Sequence, residues 1–99
     1  MPTLIQRLFG EDKGPLPPHE GVEHLVLYKF DSCPYCVRVM SSIERLGVDV
    51  EYRDTRADPA ARAELLDKTG RAQVPCLFID GEPLFESRDI ITWLERFAA

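Results

Sequence analysis

The sequence predicts an α/β fold, a four-stranded mixed sheet flanked by helices in the order β-α-β-α-β-β-α. Three observations carry this. An apolar run, Leu25 to Phe30, suits a strand buried on both faces. Two helical segments follow, closed by Gly47 and Gly70. Near the end, "VPCLFIDGEPLFES" reads as a hairpin. Strand–helix–strand connections imply parallel pairing with a right-handed crossover, and the hairpin adds an antiparallel edge.

The elements can be justified in turn. Thr3 and Gln6 fit a capping box, and Leu4, Ile5, Leu8 and Phe9 share a face, which predicts a short helix ended by Gly10. That face would cover an edge of the main domain or meet a protein partner. "GPLPPHEG" is a stiff linker. Residues 1–22 thus form a helix and linker, and residues 23–99 the main domain. After the first strand, Cys36, Val39, Met40, Ile43 and Leu46 recur at helical spacing up to Gly47. Val48, Val50 and Tyr52 alternate with charged residues, which predicts a second strand. Asp58 caps and Pro59 opens a helix that Gly70 ends. Cys76 to Ile79 form a strand, Asp80-Gly81 a type I′ turn, and Pro83 to Phe85 an edge strand. Ser87 caps a last helix with Ile90, Ile91, Leu94 and Phe97 on one face. Trp93 is read as packing.

Composition narrows the function classes. The chain has 99 residues and 44% hydrophobic residues, enough for one small core. Acidic residues outnumber basic ones, 17 to 12, for a net charge of −5. That argues against a nucleic-acid partner, which requires clustered positive charge. No apolar run approaches the roughly 18–20 residues that cross a membrane. The N-terminus lacks a secretory pattern, so a cytoplasmic location is expected.

Cysteine usage points to chemistry. Cys33 and Cys36 lie in "DSCPYCVRVM", and Cys76 is the third cysteine. A zinc site would need Cys76, His19 and His24 to converge from unrelated segments, so no metal is expected. A redox pair fits the local physics. Cys33 falls at the cap of a helix whose free amides and dipole favour a thiolate, the reactive form. Pro34 suits the first helical position. Cys36, one turn in, is placed to attack a mixed disulfide on Cys33. Cys76 is either a third redox thiol or a small buried residue opening a strand, and the second is favoured.

"CPYC" at 33–36, "TGRAQVPCLFIDG" at 69–81 and "ESRDIITWL" at 86–94 resemble the glutaredoxins, of the thioredoxin-fold superfamily. The resemblance covers roughly residues 24–98. The same motifs are similar to the N-terminal domains of glutathione transferase-like proteins. It implies a thioredoxin-like fold and a monomeric, glutathione-dependent thiol–disulfide oxidoreductase acting on disulfides or glutathionylated proteins. Cys33 would be the nucleophile and Cys36, or a second glutathione, the resolving thiol. Pro75 would be a cis-proline exposing the Val74 backbone to glutathione. Glu86 and Ser87, at a helix N-terminus, would hold its γ-glutamyl carboxylate. Tyr35 would shape the groove, with Lys29 and Arg71 supplying charge. Three positions depart from the family pattern. Phe30 stands where a lysine is common, with Lys29 one residue earlier, and Ala72-Gln73 replace the usual arginine or threonine before Val-Pro. A [2Fe–2S] cluster carrier and a non-catalytic binding module are the alternatives.

Overall fold

The computed structural model describes residues 16–99. The short helix expected over residues 3–9 lies outside them. The elements are β1 (Leu25–Lys29), α1 (Pro34–Leu46), β2 (Glu51–Asp54), α2 (Pro59–Thr69), β3 (Cys76–Ile79), β4 (Glu82–Phe85) and α3 (Ser87–Ala98). Their order is the expected one. The strands form one sheet in the order β2-β1-β3-β4. β1 pairs parallel with β2 and antiparallel with β3, and β3 pairs antiparallel with β4.

Strand alternation divides the core in two. Leu25 and Leu27 stand opposite Ile79 and Leu77. These four point to one face, where they meet Val39 and Ile43 of α1 and Ile90, Trp93 and Leu94 of α3. Val26 and Tyr28 stand opposite Phe78 and Cys76. They point to the other face and pack with Ala61 and Leu65 of α2. Each large side chain removed from water there contributes roughly 1.5–3 kcal/mol. Polar ties reinforce the α2 face. The Tyr28 hydroxyl donates to Glu64 Oε1 at 3.0 Å, and Arg53 Nη2 donates to the same oxygen at 2.7 Å.

The turn chemistry follows the sequence. Gly47 ends α1 with φ of 68°, a left-handed position that glycine adopts without a Cβ penalty. Asp58 Oδ1 accepts from Ala60 N at 3.0 Å and Pro59 takes the first helical position of α2. Asp80 and Gly81 both have positive φ, 47° and 90°, as a type I′ turn requires. The Asp80 carboxylate also reaches across to accept from His24 N at 2.8 Å and from Glu23 N. The hairpin tip is thereby fastened to the start of β1.

Three details differ from the sequence reading. β2 begins at Glu51, not at Val48. Its ladder with β1 starts where Val26 stands opposite Glu51, so Val48 and Val50 lie before the paired residues. They pack on the core as connection. Tyr52 is on an edge strand and remains 43% exposed. Secondly, Ser87 is the first residue of α3 rather than its cap. Glu86 is the cap, with φ of 76° and no side-chain capping bond. Its carbonyl accepts from Ile90 N at 3.0 Å, which makes it the first acceptor of the helix. Finally, residues leading into β1 join the core. Leu16 and Val22 pack against the first cluster, and the Pro17 carbonyl accepts from Trp93 Nε1 at 2.9 Å.

Leu27 is fully buried on the central strand. Leu27→Ala should therefore lower the unfolding free energy by about 2–5 kcal/mol, read from the midpoint of urea unfolding.

Candidate active site

The connection from β1 to α1 presents Cys33. Its amide donates back to the Phe30 carbonyl at 3.2 Å, and its own carbonyl accepts from Val37 N at 2.9 Å. The residue sits at the N-cap in an extended conformation, φ −83° and ψ 116°. Serine or aspartate commonly caps a helix with an oxygen; here the acceptor is sulfur. Cys36 N donates to Cys33 Sγ at 3.3 Å. Pro34 follows at the first helical position and has no amide to offer. The two sulfurs are unequal. Cys33 keeps 6% of its surface, whereas Cys36 is wholly enclosed. Burial, and then the contact with Cys33, pushes the Cys36 thiol up from 9.0 to about 12. At neutral pH Cys36 holds its proton. All three cysteines are free.

A groove of about 400 Å³ lies beside the pair, lined by Tyr35, Gln73, Val74, Pro75, Glu86 and Ser87. Three parts of the chain build it: the first turn of α1, the segment entering β3, and the start of α3. The Val74–Pro75 bond is cis. At the α3 end, amides of the first turn and the helix dipole favour an anion. Tyr35, Val74, Pro75, Glu86 and Ser87 are among the residues expected from the sequence. Gln73 was noted only as a departure from a family pattern. Its place on the wall could be found only from the path of the chain.

The remaining expected residues lie elsewhere. Lys29 Nζ is 2.7 Å from Asp31 Oδ1, 3.4 Å from Asp54 Oδ2 and 5.7 Å from the Tyr52 ring centroid. Asp31 foremost holds the Lys29 pKa above its ordinary value. Arg71 lies over the Phe85 ring at 4.3 Å and donates to Gln73 Oε1 at 3.3 Å, so it meets the groove through Gln73. Cys76 is fully buried with Tyr28, Leu65 and Phe78 on the α2 face, and burial pushes its thiol up to about 12. His24 pairs with Glu51 at 3.3 Å. Among the described residues no three His, Cys, Asp or Glu side chains gather as a metal site, and no helix is long and apolar enough to cross a membrane. One basic group at the turn before Cys33 is not among the expected residues. Arg56 stacks on Phe30 and donates to Ser32 Oγ at 3.1 Å.

A Cys-x-x-Cys pair at a strand-to-helix junction, on a β2-β1-β3-β4 sheet with helices on both faces, defines a thioredoxin-like redox fold. Solved structures agree. A glutaredoxin from Brucella melitensis superposes with a TM-score of 0.58 at 27% identity, covering 76% of this chain and 82% of that one. Glutathione S-transferase isozyme E7 from Drosophila melanogaster superposes with a TM-score of 0.61 at 31% identity over 73% of this chain. This chain spans 34% of that transferase's length. Residues 25–84 match the family model for glutaredoxin. A glutaredoxin from Pseudomonas aeruginosa is 38% identical over 72 residues, 73% of this chain and 84% of the relative. The chain belongs to the glutaredoxin family.

The buried thiols make stability depend on pH. Cys36 and Cys76 bind their protons more tightly folded than unfolded. Their contribution is fully present below about pH 9 and is lost as pH rises toward 12. Over that window each lowers stability by about 1.4 kcal/mol per pH unit. Urea midpoints should fall between pH 8 and pH 10, and Cys76→Ala should make the slope shallower.

Proposed function

We propose that the chain is a glutathione-dependent thiol–disulfide oxidoreductase with Cys33 as nucleophile. The observation that carries this reading is the capped sulfur. Cys33 Sγ accepts an amide at 3.3 Å, at a helix start, next to a groove with an anion-favouring end. The amide points its hydrogen at the sulfur that must attack. The Cys33 thiolate attacks the glutathionyl sulfur of a mixed disulfide. A new S–S bond forms, the substrate's S–S bond breaks, and the substrate leaves as thiolate to take a proton from water. Glutathione is then held along Val74, with Pro75 and Tyr35 as walls and its γ-glutamyl carboxylate at Glu86 and Ser87. A second glutathione thiolate attacks the glutathionyl sulfur, releasing oxidised glutathione and restoring the Cys33 thiolate.

Cys36 offers the second route. Part of what raises its pKa is Cys33 itself, through the hydrogen bond and through charge. Once Cys33 is a disulfide sulfur, that part is gone and only burial opposes ionisation. Cys36 thus becomes easier to deprotonate at the stage when a resolving thiolate is useful. Protein disulfides would be the substrates of this dithiol route, and a reducing, cytoplasmic setting suits three free thiols.

Reduction of a small glutathione mixed disulfide, with glutathione as reductant, tests the assignment. Cys33→Ser should abolish turnover. Cys36→Ser should keep turnover on the mixed disulfide and lose reduction of protein disulfides. An inactive wild type, or an active Cys33→Ser, overturns the reading.

A further inference from the structure

The protein carries a net charge of −5, and glutathione is itself an anion, with two carboxylates and one ammonium. The overall field therefore opposes their encounter, and a local cation beside Cys33 is needed to reverse it. Lys29 does not meet this need, because Asp31 and Asp54 neutralise it. Arg56 does. Its guanidinium carbon lies 3.9 Å from the Phe30 ring centroid, and Nη1 donates to Ser32 Oγ at 3.1 Å. A ring face and a hydroxyl hold the group in place without cancelling its charge. Among the described residues no carboxylate lies within ion-pair distance of it. The nearby carboxylate of Asp54 is turned to the backbone amides of Arg56 and Ala57 and to Lys29. Arg56 is exposed, and most of its five N–H donors remain available.

Its placement fits one end of a ligand. Arg56 follows β2, and Ser32, which it touches, adjoins Cys33. The start of α3, with Ser87, follows β4. In the sheet order β2-β1-β3-β4 these two features flank the site from opposite sides. Glutathione has a carboxylate at each end and its thiol between them. We infer that Arg56, seated on Phe30 and tied to Ser32, receives the glycyl carboxylate of glutathione and sets the preference for co-substrates that carry it. The inference rests on the glutathione reading above and adds a residue to it. Phe30 is then the platform for a cation that arrives from the β2–α2 turn.

The test compares two mixed disulfides of one small thiol, made with glutathione and with its glycinamide analogue, which has the same shape and lacks the charge. Wild type should favour the acid by about tenfold in kcat/KM, the scale of one hydrogen-bonded charge contact. Arg56→Ala should bring the ratio close to one, Arg56→Lys should restore part of it, and Phe30→Leu should fall between. A merely structural role would lower both substrates together and leave the ratio unchanged, which overturns the inference. So does a wild type that reduces both substrates equally, and in that case the glutathione reading survives. A wild type that reduces neither overturns both.

Discussion

Helix α1 begins with a proline, and that single choice governs the site. Pro34 has no amide, so the first turn presents fewer donors, and the one from Cys36 turns to the Cys33 sulfur. Cys33 must hold the extended cap conformation for this to happen. That conformation is fixed from behind by its amide bond to Phe30 and from ahead by Val37. The rest of the molecule keeps this junction still. Val39 and Ile43 lock α1 onto the sheet through Leu25 and Leu27, and β1 is itself pinned between β2 and β3. A shift of α1 along its axis would move the sulfur and its donor together relative to the groove.

The sheet also separates two kinds of cysteine. Cys36 is one helical turn from the cap, enclosed, and its thiol is pushed up by burial and by the contact with Cys33. Cys76 belongs to the α2 face, in register with Tyr28. Both are fully enclosed, yet among the described residues only the first is linked to the Cys33 sulfur by a hydrogen bond through its own backbone. Proximity along the chain to Pro75 does not bring Cys76 to that side, because strand residues alternate. The charged residues sort similarly. Lys29 faces carboxylates, Arg71 covers Phe85, and Arg56 stands on Phe30.

Much of the fold was legible in the sequence because its punctuation is local. Gly47, Gly70, Pro59 and Asp80-Gly81 act through their own backbone and Asp58 through an oxygen that reaches Ala60 N, and each ends or starts the element expected of it. The strand β2 was read too long, since alternation of Val48, Val50 and Tyr52 records packing but not whether a partner strand is present. Ser87 looked like a cap from its residue type, whereas the turn out of β4 puts Glu86 there. For the site, the motif located the cysteines, and the family likeness directed attention to Val74, Pro75, Glu86 and Ser87. Gln73 and Arg56 were not legible in the same way. Their positions depend on long-range geometry: the segment entering β3 for one, and the approach of the β2–α2 turn to Phe30 for the other.

Trp93 is the sole tryptophan of the chain. It is fully buried, stacked on Phe97 at 5.0 Å between centroids, and bonded to the carbonyl of Pro17. It lies about two turns into the helix whose first residue, Ser87, lines the groove. The molecule thus has one indole chromophore, in a buried site whose N–H bonds to the segment leading into β1. Its emission is a built-in optical gauge of whether that segment is docked, read without a label and without touching a cysteine.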